Sequence, residues 1–316
     1  LMARRGHRVV LWSYEEHVAA SVESQRINPY LEGVTLPESL RATTDLGEAL
    51  EDAALVVSVS PSQFVGRVME AAAPHVHRDA IVVSASKGIE LDTLRSMDEV
   101  LGAVLPPEVM SRFCVLSGPS FAAEVAREAP TAVVVASKNQ DAAKRVQALL
   151  QTDHFRVYTN SDVVGVEVAG AVKNVIALGA GVAAGLGFGH NTMAALLTRG
   201  LAEITRLGVA LGADRATFSG LAGMGDLVLT CTGSLSRNRT VGYRLGRGER
   251  LDEILADMKA VAEGVTTAEA VHALARRHHV EMPISEQVYA IVHKGRKPAD
   301  ALRALMLRDP KPEEWS

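Results

Sequence analysis

Short apolar runs, several of them continuous, punctuate the first half of the chain, at 9–12, 55–59, 80–84, 113–116, 132–136 and 155–158, and they are rich in Val, Ile and Phe. Runs of that length without polar alternation suit strands covered on both faces. Between them, the segments 15–25, 45–51, 62–73, 93–101, 121–126 and 141–150 read as helices, with Asp45 and Glu48 at capping-box spacing. Strand and helix repeated in this way predict an α/β fold, a doubly wound, Rossmann-like and mostly parallel sheet whose ligands lie at the carboxyl ends of the strands.

After Tyr158 the period changes. Apolar residues over 163–189, 194–211, 251–258, 267–278 and 284–294 recur at helical spacing, and strand-like runs thin out. The polar T-N-S-D stretch at 159–162 reads as a turn and helix start, so the chain divides into a dinucleotide-type domain at 1–160 and an all-helical domain at 161–316. At the N-terminus, Leu1 to Arg5 followed by Gly6 reads as the end of a helix, and an element before it is expected. The charged tail at 308–316 is expected to fray.

Composition narrows the classes. With 316 residues, 47% hydrophobic and 22% charged, the chain is long enough for two cored domains and far from disorder. Its formal net charge of −4 argues against broad binding to nucleic acid. The two cysteines, Cys114 and Cys231, have no metal or disulfide spacing, and the close histidine pairs His75/His77 and His278/His279 read as surface, so no metal is expected. The longest stretch free of Asp, Glu, Lys, Arg and His, Asn174 to Gly189, is about 16 residues, short of the roughly 18–20 of a membrane span. No export leader is visible, so a reducing, cytoplasmic setting is expected.

Candidate chemistry sits in a few places. Gly179 to Ala184 formally satisfies G-x-G-x-x-[GA], but within a helical pattern and without a preceding strand, so small-residue helix packing is the better reading. Lys87 follows a strand at its carboxyl end, where either a ligand contact or a turn lysine beside Gly88 would fit. Ser120, in G-P-S-F at 118–121, could cap a helix or, with its free amides, face an anion. Lys173-Asn174 lies inside an apolar helical run. Burial there would lower the ammonium pKa toward proton exchange near neutrality, unless the side chain snorkels to water. Glu167, one heptad before Asn174, favours a polar site. A glycine-rich approach at 220–225 leads to Asp226 and Thr230 and then to Ser236-Arg237-Asn238, a set suited to orienting a lysine and gripping a phosphate monoester. Two lysines, a carboxylate and an Arg-Asn pair after a nucleotide-type sheet point to hydride chemistry on a phosphorylated alcohol.

Six ordered motifs carry a resemblance. S-G-P-S-F-A at 117–122, G-A-V-K-N-V-I at 170–176, L-T-R-G-L-A-E at 197–203, G-M-G-D-L-V-L-T-C-T at 223–232, S-R-N-R at 236–239 and E-M-P-I at 281–284 are similar to those of the bacterial NAD(P)-dependent sn-glycerol-3-phosphate dehydrogenases, over nearly the whole chain. The resemblance implies that Lys173 accepts the proton of the C2 hydroxyl and that Lys87 contacts substrate and steadies the oxyanion. It further implies that Asp226 fixes the lysine and substrate, that Ser236, Arg237 and Asn238 grip the phosphate, and that Gly118 and Ser120 line the substrate site. Asn174 and Thr230 join the substrate set. NAD or NADP would be touched by Tyr14, Lys87, Ala122, Arg237, Val261 and Glu263. Reduction of dihydroxyacetone phosphate would feed phospholipid headgroups, and a homodimer is left open.

Two departures stand out. The family opens with a strand and a G-x-G-x-W-G-type loop that this chain lacks, so its sheet is expected to miss the first strand. At Trp12-Ser13-Tyr14, where the family often carries Arg or His, Tyr14 with Glu15 and Glu16 offers no cation for a 2′-phosphate. Two alternatives stand beside this reading: a related two-domain hydroxy-acid dehydrogenase, and a truncated or degenerate relative that binds a phosphorylated ligand without catalysis.

Overall fold

The computed structural model describes residues 1–258 and 261–313. The chain separates into two compact units, one comprising Leu1–Ser60, Phe64–Ser86 and Asp98–Val163, the other Pro61–Gln63, Lys87–Met97 and Val164–Ser316.

The first unit is an α/β structure. Strands Leu55–Ser58, Ile81–Ser84, Cys114–Ser117, Thr131–Ala136 and Phe155–Asn160 lie side by side in that order, parallel except for the antiparallel third and fourth. Val9–Trp12 and Leu40–Thr43 form a separate parallel pair. The unbroken apolar run at Ile81–Ser84 is buried at every position, as strands covered on both faces require. On one face the helix Gln140–Leu150 sets Ala142, Ala143, Val146 and Leu150 against Val133, Val135 and Val157. Val146 follows Ala142 and Ala143 by four and three positions and Leu150 follows Val146 by four, one stripe of a helix. The Asn139 side chain starts this helix by accepting from the amides of Asp141 and Ala142, a cap worth about 1 kcal/mol.

Several local expectations change. The strand Leu40–Thr43 has no apolar run to announce it: Arg41 stays exposed on its edge, held by Glu23. The helix expected from 93 begins at Met97 because Leu94 takes a left-handed φ of 59° within the turn 90–95, which ends any helix there. Asp45 does cap its helix by accepting from the Glu48 amide at 2.8 Å, but the return leg goes to the Thr43 hydroxyl instead of the Asp45 amide. The three-residue helical turn Ala3–Arg5 ends on Gly6 at φ 83°, as the opening residues predict.

In the second unit no strand occurs among the described residues. Its spine is the helix Val163–Gly185, buried continuously from 165 to 183. By length and composition this helix could cross a membrane, but 94% of its most apolar window is covered by protein. The glycines of the G-x-G-x-x-[GA] run serve contact between helices. A Cβ at Gly181 would stand 2.1 Å from the Arg239 carbonyl, and one at Gly242 2.0 Å from that of Leu178, so this helix and Arg237–Gly246 meet backbone to backbone. The tail expected to fray is tied down over its described part. Arg308 and Lys311 pair with Glu281, and Arg199 donates to the Glu313 carbonyl. Residues 314–316 of that tail lie outside the described residues.

Candidate active site

Lys173 sits halfway along the buried spine, on a helix surrounded by protein, and is only 5% exposed. Its stem has no route to water, so the snorkelling alternative does not hold. The ammonium Nζ instead donates to Asp226 Oδ1 at 2.9 Å and to Thr230 Oγ1 at 2.8 Å, and the Thr230 hydroxyl donates onward to the Asp226 carbonyl at 2.6 Å. Asp226 and Thr230 are one turn apart on the helix Asp226–Thr232, which is why both reach the same nitrogen. The other carboxylate oxygen, Asp226 Oδ2, accepts from Lys87 Nζ at 2.6 Å. One carboxylate, 2% exposed, thus bridges two ammonium groups.

The electrostatics follow from that geometry. Burial, reinforced by repulsion from Lys87, lowers Lys173 from 10.5 to about 8 against the pull of Asp226. Burial would raise Asp226, but the two ammonium groups and their hydrogen bonds outweigh it and hold the carboxyl below its ordinary range. Neighbouring Cys231 is pushed up to about 12 by burial and stays a thiol. The trio carries a net positive charge, and its open side is Lys87, whose side chain is 24% exposed against 6% for Lys173. Such a site can attract an anion, steady a developing alkoxide, and exchange a proton at Lys173 near neutral pH.

Other expected residues fall into three groups. Asn174 and Asn238 are buried and bonded to each other. Asn238 Nδ2 donates to Asn174 Oδ1 at 3.0 Å, and Asn174 Nδ2 donates to the Lys87 carbonyl at 3.2 Å. Ser236 caps the helix Arg237–Gly246 by accepting from the Arg239 amide at 3.2 Å, while Arg237, the first residue of that helix, is exposed. Val261 is also exposed. Both Glu263 carboxylate oxygens accept from Ser62, a contact across 201 positions that leaves no trace in the sequence.

In the first unit, Gly118 leaves its strand at φ 131°, against Val133. Ser120 is not the expected cap: Phe121 holds that position before Ala122–Ala126, and the Ser120 hydroxyl donates to the Gly118 carbonyl at 3.1 Å. Ala122 opens that helix, and Tyr14 is 75% exposed beyond the strand Val9–Trp12. The glycine-rich run at 220–225 leads into Asp226 through a tight helical turn, Leu221–Gly225, in which a Cβ at Gly223 would lie 2.1 Å from the Phe218 carbonyl, so Gly223 serves close packing.

Comparison with known proteins agrees with this chemistry. Residues 1–143 match the family model of the NAD-dependent glycerol-3-phosphate dehydrogenase N-terminus, and residues 162–303 match that of its C-terminus. Glycerol-3-phosphate dehydrogenase [NAD(P)+] of Geobacter metallireducens is 58% identical over 314 residues, 99% of this chain and 94% of that protein. The crystal structure of glycerol-3-phosphate dehydrogenase from Coxiella burnetii superposes with a TM-score of 0.92 at 38% identity, covering 97% of this chain and 94% of that one. A D-mandelate dehydrogenase structure, 12% identical with a TM-score of 0.60 over 95% of this chain and 94% of its own, shares the fold alone. The chain belongs to the NAD-dependent glycerol-3-phosphate dehydrogenase family.

Proposed function

We propose that this protein interconverts sn-glycerol 3-phosphate and dihydroxyacetone phosphate, with residues 1–160 serving the dinucleotide and 161–316 the substrate. The observation that carries the reading is the buried Lys173–Asp226–Lys87 trio, whose proton-exchanging amine has a pKa of about 8. In reduction, the Lys173 ammonium gives its proton to the oxygen forming at C2, and Lys87 steadies the negative charge on that oxygen until it arrives. In oxidation the neutral Lys173 amine takes the hydroxyl proton. Asp226 keeps both nitrogens in place and offsets their mutual repulsion. Arg237, exposed at the start of its helix, supplies a guanidinium fork for the phosphate, with the Ser236-capped first turn beside it.

Lysines and a carboxylate move protons but cannot take a hydride, so this donor set fits a two-electron partner. A nicotinamide dinucleotide, when bound, supplies or accepts the hydride. Arg237 and Val261, both exposed in the second unit, are the residues we assign to holding it. With Glu15 and Glu16 beside Tyr14, no cation in that run favours a 2′-phosphate. The setting proposed is the cytoplasm. The test is oxidation of NADH or NADPH dependent on dihydroxyacetone phosphate. A rate no higher than that of Lys173→Ala overturns the assignment.

A further inference from the structure

Lys87 is rooted in a short segment whose backbone is held from two sides, and both holds converge on one helical turn. The first runs through a carboxylate. Glu263 opens the helix Glu263–Arg277, and its Oε1 accepts from the Ser62 amide at 2.9 Å while Oε2 accepts from the Ser62 hydroxyl at 2.5 Å. Ser62 is fully buried, and Gly88 lies directly on it. A Cβ at Gly88 would be 2.2 Å from Ser62 Oγ and 3.0 Å from Glu263 Oε2. Gln63 extends the grip, donating to the Ile89 carbonyl at 2.7 Å and accepting from the Leu91 amide at 2.9 Å.

The second hold is an amide relay. The Gly264 amide donates to Asn238 Oδ1 at 2.9 Å, Asn238 Nδ2 to Asn174 Oδ1 at 3.0 Å, and Asn174 Nδ2 to the carbonyl of Lys87 itself at 3.2 Å. The relay tolerates nothing larger than glycine at its origin, since a Cβ at Gly264 would stand 2.6 Å from the Asn174 carbonyl oxygen. Directional hydrogen bonds in a dry interior fix position more tightly than apolar contact does, provided each amide is satisfied. Here the carbonyl of Lys87 and the residue that follows it are both fixed. A flexible four-carbon stem anchored at its root loses less freedom in reaching Asp226.

We propose that the first turn of the helix Glu263–Arg277 is a positioning element for Lys87, with Glu263 acting through Ser62 and Gly88, and Gly264 acting through Asn238 and Asn174. This rests on the functional reading above and deepens it. It gives Glu263, Asn174 and Asn238 a part in building the site beside the ligand contacts that the family resemblance implies. Lys87 sets more than its own contact with substrate, because its charge is one of the two causes that lower Lys173. Loosening the clamp therefore changes proton exchange at a nitrogen the clamp never touches.

The experiment pairs Glu263→Ala and Ser62→Ala with Lys87→Met. Expected are a fall in kcat of about tenfold or more with the KM for NADH within about twofold, and an upward move of the Lys173 inflection in the pH profile. In the Lys87→Met background either substitution should change the residual rate by less than about twofold, because the pair acts as one unit. A readout free of turnover is the acetylation of Lys87 by acetic anhydride in the ligand-free protein, followed by mass spectrometry. Both substitutions should speed it several-fold. Should Glu263→Ala not fold, Ser62→Ala, which removes only one hydroxyl, reports the same axis. The proposal is overturned if Lys87 reactivity is unchanged, or if the NADH KM rises more than about tenfold with losses that add to those of Lys87→Met. Absence of turnover in the unaltered protein would overturn the functional reading alone, and the labelling would still decide this one.

Discussion

Replacing Lys173 by Met removes the ammonium and keeps nearly the same volume in a helix buried on all sides. In the folded chain the group's pKa falls from 10.5 to about 8. At roughly 1.4 kcal/mol per unit, holding the charged form costs about 3 kcal/mol. The unfolded chain binds that proton more tightly, so on this account stability rises with pH between about 8 and 10.5, and the cost is fully present below that window. Methionine lifts the cost but withdraws the donor from Asp226 Oδ1 and Thr230 Oγ1, which returns about 1–3 kcal/mol. The two nearly cancel, and the unfolding free energy at pH 7 should change by less than about 2 kcal/mol. Activity should not be spared: losing a positioned proton donor costs about 10²–10⁴-fold, or roughly 3–5 kcal/mol of barrier. The assay is initial rates of NADH oxidation with dihydroxyacetone phosphate from pH 6 to 10, beside urea unfolding of both proteins. The unaltered enzyme should lose kcat/KM for reduction as pH rises through about 8, where Lys173 gives up its proton. A variant within tenfold of the unaltered rate that keeps this inflection would refute the role of Lys173. A stability loss beyond about 4 kcal/mol would make the lysine structural.

Asp226→Asn leaves two ammonium groups facing each other without their counter-charge, and should lower stability by roughly 3–5 kcal/mol at pH 7 as well as abolish turnover. Part of that loss should be recovered at higher pH, where Lys173 is neutral, and a pH-independent deficit in thermal melts would count against the picture. Glu203 is buried and accepts from the Ile284 and Ser285 amides and the Ser285 hydroxyl at the start of Pro283–Lys294, so Glu203→Ala should cost about 3–5 kcal/mol in denaturant unfolding. Burial raises this carboxyl from 4.5 to about 7 despite those bonds. The folded chain therefore binds its proton more tightly, and stability on this account falls as pH rises from 4.5 to about 7. Glu203→Gln should flatten that slope, and an unchanged slope would assign it to another group. Gly181→Ala would drive a methyl to 2.1 Å from the Arg239 carbonyl, and should cost about 1–3 kcal/mol as the two helices separate. A melting temperature equal to that of the unaltered protein would mean the contact is looser than described.

The sequence by itself determined the alternation of strand and helix over the first half, the turn to helical periodicity near 160, and the candidates Lys87, Lys173, Asp226 and Thr230 that the fold brings together. Those features are local: the burial of a strand such as Ile81–Ser84 is written in adjacent residues, and a lysine inside a run from Val168 to Leu178 is marked as either desolvated or snorkelling, a choice that packing settled. Tertiary structure decided what each polar side chain is bonded to. Nothing near Glu263 names Ser62, and nothing near Asn238 says that its amide faces Asn174 and Gly264, because hydrogen-bond partners far apart in the chain leave no mark on local spacing. The packing of Gly223 against the Phe218 carbonyl was hidden for the same reason, since a small residue beside a ligand and one beside a neighbouring carbonyl look alike in sequence. Propensity and period act over a turn or two of chain, whereas the position of Lys87 depends on segments brought together only once the helices have packed.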